Sequence, residues 1–326
     1  MRTRRSSSSS NPVLSAGDKS IPSPGGKHRS VLLHESVDAL GIQPSDTVVD
    51  ATLGGAGHAL AIVGLLGARG TFVGVDADGD AVARARDMLA NALPGRQALP
   101  RVLLFEGNFR NLRTVLEESG VTSIDKALFD LGWSSYQLEA GRGFSFRSDE
   151  PLHMGYSAAQ ELTAETIVND WSEESIAEIL RGFGEERDAR RIARAITEAR
   201  GKKRIDTASE LARIIEEALP HRYRRLHAAT KTFQALRIAV NDELASLDEG
   251  LTAAWQMLQG GGRIAVISFH SIEDRIVKKR FLEWERKGEG RRLTRKPVIA
   301  GESELAINPR ARSAKLRVAQ KNQSTS

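Results

Sequence analysis

From Thr47 onward, short apolar runs alternate with stretches of helical periodicity. TVVDA, TFVGVD, RVLLFEG and DKALFDLG read as strands, and HALAIVGLL, DAVARARDMLANAL and NLRTVLEESG between them read as helices. Strands that are apolar throughout and separated by helices predict a parallel sheet covered on both faces. After Leu138 the alternation stops. AQELTAETIVNDW, EESIAEILRGF, EERDARRIARAITEAR and TASELARIIEEAL all carry a helical period, and Thr207 with Glu210 has capping-box spacing. The α/β pattern then returns with one long helix, KTFQALRIAVNDELASLDEGLTAAWQML, the strand GRIAVISF, a helix from Ser271 to about Glu285 and a last strand AKLRVA. Neither α/β part completes a sheet alone. The expectation is one α/β domain, residues 28–138 and 228–319, interrupted by an all-helical insertion, 139–227. Residues 1–27 are Ser/Pro/Gly-rich and, with 320–326, are expected to be disordered.

Composition narrows the class. No run approaches the ~20 apolar residues of a membrane span, so no membrane partner is expected. The chain has no cysteine, which excludes disulfides, thiolate metal sites and a cysteine nucleophile. The net charge of +5 is unevenly spread. From Arg275 to Ser326 there are 15 Lys/Arg against 5 Asp/Glu, so that stretch carries +10 and the remainder −5. A basic end on a mildly acidic body suits either a polyanionic partner or a solvated tail. The Arg-bearing, acid-poor start resembles a transit peptide, without the apolar core of a secretory signal. A cytoplasmic location is expected, with organelle import as the alternative.

The chemistry begins at TVVDATLGGAGHALAI. A strand ending in Asp50 crosses a glycine turn into a helix. G-x-G-x-x-G laid on Gly55 to Leu60 fails at Leu60, and no Gly-Lys-Ser/Thr follows, so neither a dinucleotide fingerprint nor a P-loop is present. The next strand ends at Asp76, where a carboxylate can accept hydrogen bonds from both hydroxyls of an adenosine ribose. A cofactor without phosphates needs no anion-binding lysine. Glycine turn and acid together point to S-adenosylmethionine, although both also occur as plain structure. The fourth strand ends at Asp130, in FDLGWSSYQL, on the side where ligands of open α/β sheets sit. Asp130 and Trp133 offer an acceptor and an aromatic three residues apart, similar to the Asp-Pro-Pro-Tyr loop of amino-methyltransferases without its prolines. The ordinary alternative for Trp133 is core packing.

HRSVLLHES at 28, DATLGGAGH at 50, FDLGWSSYQL at 129, RGFSF at 142, GEERDARRIARAI at 184, TFQALRIAVNDEL at 232, VISFHSIEDRIVK at 266 and NPRARSAKLRVA at 308 occur in one order. This series resembles the small-subunit rRNA (cytosine-N4) methyltransferase family RsmH, also called MraW, over about residues 28 to 319. The resemblance implies a class I, Rossmann-like methyltransferase domain with a helical insertion. It implies S-adenosylmethionine-dependent N4-methylation of a cytidine in the decoding region of 16S rRNA, with the small ribosomal subunit as partner and a homodimer as a form the family takes. Carried onto matching positions, it implies cofactor contacts from Ala56, Gly57, His58, Asp76, Phe109, Asp130 and Gln137, with Asp130 also catalytic.

The chain departs from the family in places. PLHMGYS at 151 stands where the family has PLDMRMD, so His153, Gly155 and Ser157 replace two acids and an arginine. Ala56 occupies a family glycine position, which is tolerable if its φ is negative. These departures keep a second reading in view, a non-catalytic RNA-binding or ribosome-assembly factor that retains the cofactor pocket. His270, Glu273 and Asp274 open a helix, where capping and dipole pairing compete with a role in placing RNA. The seven histidines lack metal-ligand spacing, so no metal is expected. Arg190, Arg191, Arg194, Lys278, Lys279, Arg310, Arg312, Lys315, Arg317 and the run HRYRRLH at 221 are the candidate RNA surface.

Overall fold

The computed structural model describes residues 29–92, 99–132, 135–157, 159–219 and 227–323. The extension 1–27, Trp133 and residues 221–226 of HRYRRLH lie outside the described residues. Seven strands form one sheet: β1 (Thr47–Asp50), β2 (Thr71–Asp76), β3 (Arg101–Glu106), β4 (Ile124–Asp130), β5 (Leu258–Ser268), β6 (Gly290–Arg292) and β7 (Lys315–Lys321). Their order is β3-β2-β1-β4-β5-β7-β6. The first five are parallel, and β7 runs antiparallel between β5 and β6. This is the expected Rossmann-like α/β sheet, with its order reversing between β1 and β4.

Alternation along the strands sorts side chains to two faces. Val48, Phe72, Leu128, Ala265 and Ile267 pack with the helices Leu33–Leu40, Gly57–Leu65 and Gly79–Ala92. Val49, Val73, Phe129, Ile264 and Val266 pack with Leu112–Glu118, Glu243–Met257 and Ser271–Arg286. A third cluster is helical. Ile167, Leu180, Ile192, Ile196, Leu211 and Ile215 come from the helices Ala164–Asp170, Glu173–Gly184, Ala189–Arg200 and Ala208–Ala218. Phe233, Ala235, Leu236 and Val240 join it from the helix Thr230–Asn241, beyond the 227/228 boundary read from the sequence.

The long helix expected over 231–258 is two helices. Asp242 takes the left-handed conformation (φ 47°) and ends Thr230–Asn241, and Glu243–Met257 starts afresh. The break carries the chain from the helical cluster to the sheet. β6 and the helices Leu33–Leu40 and Glu302–Ile307 were not anticipated. They are short elements set in polar or irregular sequence, where periodicity is weak. No helix among the described residues is long and apolar enough to cross a membrane.

Candidate functional site

The carboxyl ends of β1, β2 and β4 bring Asp50, Asp76 and Asp130 to one edge of the sheet, where the strand order reverses. The glycine turn is strapped between two of these acids. Gly54 N donates to Asp76 Oδ2 at 2.8 Å, and Asp130 N donates to Thr52 Oγ1 at 2.7 Å. Asp76 Oδ1 accepts a second backbone N–H, from Asp78 at 2.9 Å. Burial lifts Asp76 to about 6, less than it otherwise would because these two N–H groups favour the charged form.

Above the turn lies a crevice of about 1100 Å³, counted out to solvent. Gly54, Gly55, His58, Asp76, Phe109, Asp130 and Gln137 all line it. Phe109 meets Phe129 edge-to-face at 5.6 Å, and Gln137 is buried. His58 Nδ1 lies 3.5 Å from Asp130 Oδ2, joining the helix after the turn to the end of β4. Two residues carried over by resemblance lie off the lining. Ala56 is fully buried, and Gly57 backs against Ser30, whose Oγ would lie 2.1 Å from any added Cβ. Gly54 and Gly55 face the crevice instead.

Ala56 has φ 61°, contrary to the negative φ that would have made an alanine comfortable there. It supplies the left-handed turn into the helix Gly57–Leu65 in a conformation that disfavours a Cβ.

Asp130 is the most perturbed acid facing the crevice. Burial, and then the nearby Glu273 carboxylate, raise it to about 7. Its Oδ1 is buried and has no hydrogen-bond partner among the described residues. Asp50, wholly buried beneath, is raised well above the ordinary carboxylate range by burial and by repulsion from Asp130 and Asp76.

Tyr156, Asn241, Glu243 and Glu273 form a further stretch of the crevice wall, and of these the sequence pointed only to Glu273. Arg237, buried behind them, holds Glu243 bidentately, Nε to Oε1 at 2.6 Å and Nη2 to Oε2 at 2.8 Å. Tyr156 Oη donates to the same Glu243 Oε1 at 2.8 Å. Burial, with the charge of Glu243, pushes the Tyr156 hydroxyl well above its usual range, so it stays protonated. Glu273 Oε2 accepts from Phe269 N at 2.8 Å and His270 N at 3.3 Å, while His270 Nδ1 accepts from Glu273 N. This is a capping box with histidine as the cap. Glu243, His270 and Glu273 place one ligand atom each within 4.8 Å of one another. Arg237 already supplies a cation to these oxygens, lying 4.0 Å from Glu273 Oε1. The visible signal for this wall was the SFHSIEDR run. Arg237 and Glu243 gave none, because an unbroken helix would have turned them to other neighbours.

His153 does not line the crevice. Its Nδ1 accepts from Gly155 N at 3.1 Å, and burial, then Arg142, lower its pKa. A side chain on Gly155 would meet Gln160 and His153 at 2.7 Å, so the family arginine has no room here. The altered PLHMGYS stretch gives the crevice Tyr156, whose backbone N donates to Asn241 Oδ1 at 2.8 Å. Among the candidate RNA residues, Arg190, Arg191, Arg194, Lys278, Lys279 and Arg312 are exposed. Arg317 is not a surface cation. It is buried and paired with Asp274 at 2.6 Å, because β7 is an interior strand. Arg310 lines the crevice.

The sequence matches the model of the MraW methylase family over residues 25–322. It is 47% identical over 295 residues to the ribosomal RNA small subunit methyltransferase H of Deinococcus deserti, covering 90% of this chain and 93% of that protein. The protein of the same name from Deinococcus radiodurans is 47% identical, with 90% and 89% covered. That of Brevibacillus brevis is 42% identical over 312 residues, with 90% and 98% covered. A doubly wound sheet, a glycine turn held between two half-buried acids and this likeness along nearly the whole chain agree: the chain belongs to the MraW methylase family.

Proposed function

We propose that this protein is an S-adenosylmethionine-dependent methyltransferase that methylates the N4 amine of a cytidine in small-subunit rRNA, on the subunit or its RNA. The observation that carries the reading is the pair of acids flanking the Gly54–Gly55 backbone: Asp76 with both oxygens oriented by backbone N–H groups, and Asp130 with a buried oxygen that has no hydrogen-bond partner among the described residues. The donor set fits the cofactor. Asp76 keeps acceptor capacity for a ribose diol, Phe109 gives an apolar cover for adenine, and the glycines allow close backbone approach. When bound, the cofactor supplies a methyl group on a sulfonium: the S–CH₃ bond breaks, an N–CH₃ bond forms, and the sulfur leaves neutral.

The protein supplies orientation and a proton acceptor. A cytosine amine is a poor nucleophile because its lone pair is delocalised into the ring. An acidic oxygen that accepts its N–H helps localise that pair and then takes the proton released when the N–C bond forms. Asp130 is suited to this, being tuned near neutral pH. Reaching a base edge requires the nucleotide to be unpaired or flipped out. The exposed Arg190, Arg191 and Arg194 on the helical insertion, with Lys278 and Lys279, suit phosphate contacts.

The test is transfer from methyl-labelled S-adenosylmethionine to small subunits lacking the modification, mapped by nuclease digestion and mass spectrometry. Label on one cytosine N4, absent with Asp130→Ala, is the expected result. Tight cofactor binding without transfer to subunits or rRNA sinks the reading and leaves the non-catalytic factor in its place.

A further inference from the structure

We infer that Glu273 is a second acceptor for the target amine, so that Asp130 and Glu273, which both line the crevice, each hold one of its two N–H groups. The inference rests on the methyltransferase reading above.

An exocyclic amine presents two N–H donors, and both must be directed if the nitrogen lone pair is to be aimed. Asp130 provides one acceptor, the buried Oδ1 that has no hydrogen-bond partner among the described residues. The crevice offers few others. Glu243 is engaged on both oxygens by Arg237 and on one by Tyr156. Asp76 stands at the turn, where its remaining acceptor capacity is assigned to the ribose.

Glu273 differs from both. It lines the crevice and is 3% exposed. Oε2 is fixed by Phe269 N and His270 N, so the carboxylate cannot swing away. Oε1 accepts no hydrogen bond among the described residues. His270 Nε2 stands 3.1 Å away but at an angle that makes no bond, and Arg237 Nη2 stands at 4.0 Å. The residue is thus pinned by one oxygen, and the other, flanked by the His270 ring and the Arg237 guanidinium, keeps acceptor capacity.

This arrangement also selects the base. Two carboxylate acceptors welcome an amine and repel a carbonyl oxygen, so a uracil in the same place meets repulsion where cytosine makes two bonds. A site built on such bonds discriminates strongly, because the wrong ligand leaves buried acceptors unpaired.

Around Asp130 stand Asp50 from β1, His58 from the following helix, and Glu273, itself beside His270, Arg237 and Glu243. Removing the Glu273 charge removes a repulsion from Asp130, so Asp130 ionises at lower pH.

The experiment compares wild type, Glu273→Gln and Glu273→Asp on small subunits, reading kcat, KM for both substrates and the pH dependence of kcat/KM. Thermal melts and cofactor titration establish that each variant is folded. The glutamine can keep the capping box through its amide oxygen. Glu273→Gln is expected to lower kcat by roughly 10²-fold, with cofactor affinity within about twofold and the acid limb displaced to lower pH. Glu273→Asp keeps the charge but withdraws the oxygen, so kcat falls while the acid limb stays. Wild-type kcat in Glu273→Gln, or a loss with no movement of its acid limb, overturns the assignment. Should Glu273→Gln fail to fold, undiminished kcat in Glu273→Asp overturns it instead. Wild-type transfer in the same assay separates the two claims. Without it the methyltransferase reading fails, and with it a negative result removes only the role of Glu273.

Discussion

Arg237 grips Glu243 across the break in the helix: the guanidinium closes on both carboxylate oxygens at 2.6 and 2.8 Å. Arg237 belongs to a helix packed in the helical cluster, whereas Glu243 opens the helix that covers the sheet and lines the crevice. The pair spans the left-handed turn at Asp242 and ties the two halves at the reaction wall.

Removing one partner of a buried pair leaves an uncompensated charge, a cost of about 3–5 kcal/mol. Arg237→Met is therefore expected to lower stability by that amount in urea unfolding. Arg237→Lys recovers only part of it, since an ammonium cannot make the fork. Equal midpoints for wild type and Arg237→Met refute the structural importance of the pair.

Ala56 carries a strain that glycine does not. A residue with a Cβ in the left-handed region costs roughly 1–2 kcal/mol, partly offset by the extra freedom that glycine has when unfolded. Ala56→Gly is expected to raise the melting temperature by about 1–4 °C, with cofactor affinity unchanged because Ala56 lies off the crevice. A lower melting temperature contradicts the strain argument.

Asp130 couples activity to stability in opposite senses. Its pKa in the fold, about 7, lies above the ordinary 3.8, so the native protein binds the proton more tightly than the unfolded chain. That contribution is fully present below about pH 4 and is lost as pH rises through 7. Asp130→Asn, uncharged throughout, should be more stable than wild type near pH 8 by roughly 2 kcal/mol, with the gain vanishing near pH 4. Its kcat should fall by about 10²-fold or more. Denaturant midpoints at the two pH values, set beside turnover, check both signs.

Asp76 should act on cofactor binding rather than on turnover. Asp76→Asn removes a charged acceptor from the ribose end, with an expected cost of roughly 1.5–3 kcal/mol, or about 10- to 100-fold in the calorimetric Kd for S-adenosylmethionine. Unaltered affinity places the ribose elsewhere.

The strand ends carrying Asp50, Asp76 and Asp130 were readable, because strands apolar on both faces stand out against helical periods and the acids sit where each run stops. The wall formed by Tyr156, Asn241 and Glu243 was hidden for local reasons. Asn241-Asp242 is a pair that tolerates left-handed backbone, but it lies inside good helical periodicity and gives no stop signal. Reading straight through it turned Glu243 away from Arg237. Glu273 was visible as a cap, and its nearness to Asp130 follows only from the parallel pairing of β4 with β5. Arg317 misled because charge is read locally, whereas its burial is decided by a strand order that brings Asp274 to it.

That strand order opposes the direction of synthesis. β7 is the last strand along the chain, yet it lies inside the sheet between β5 and β6, with Arg317 locked onto Asp274. Its place stays vacant while the earlier strands emerge, so a nascent chain exposes the bare edge of β5 until residue 321 is free. During that interval the unpaired edge is a template for mispairing, and the sheet is complete only after translation has passed its last strand.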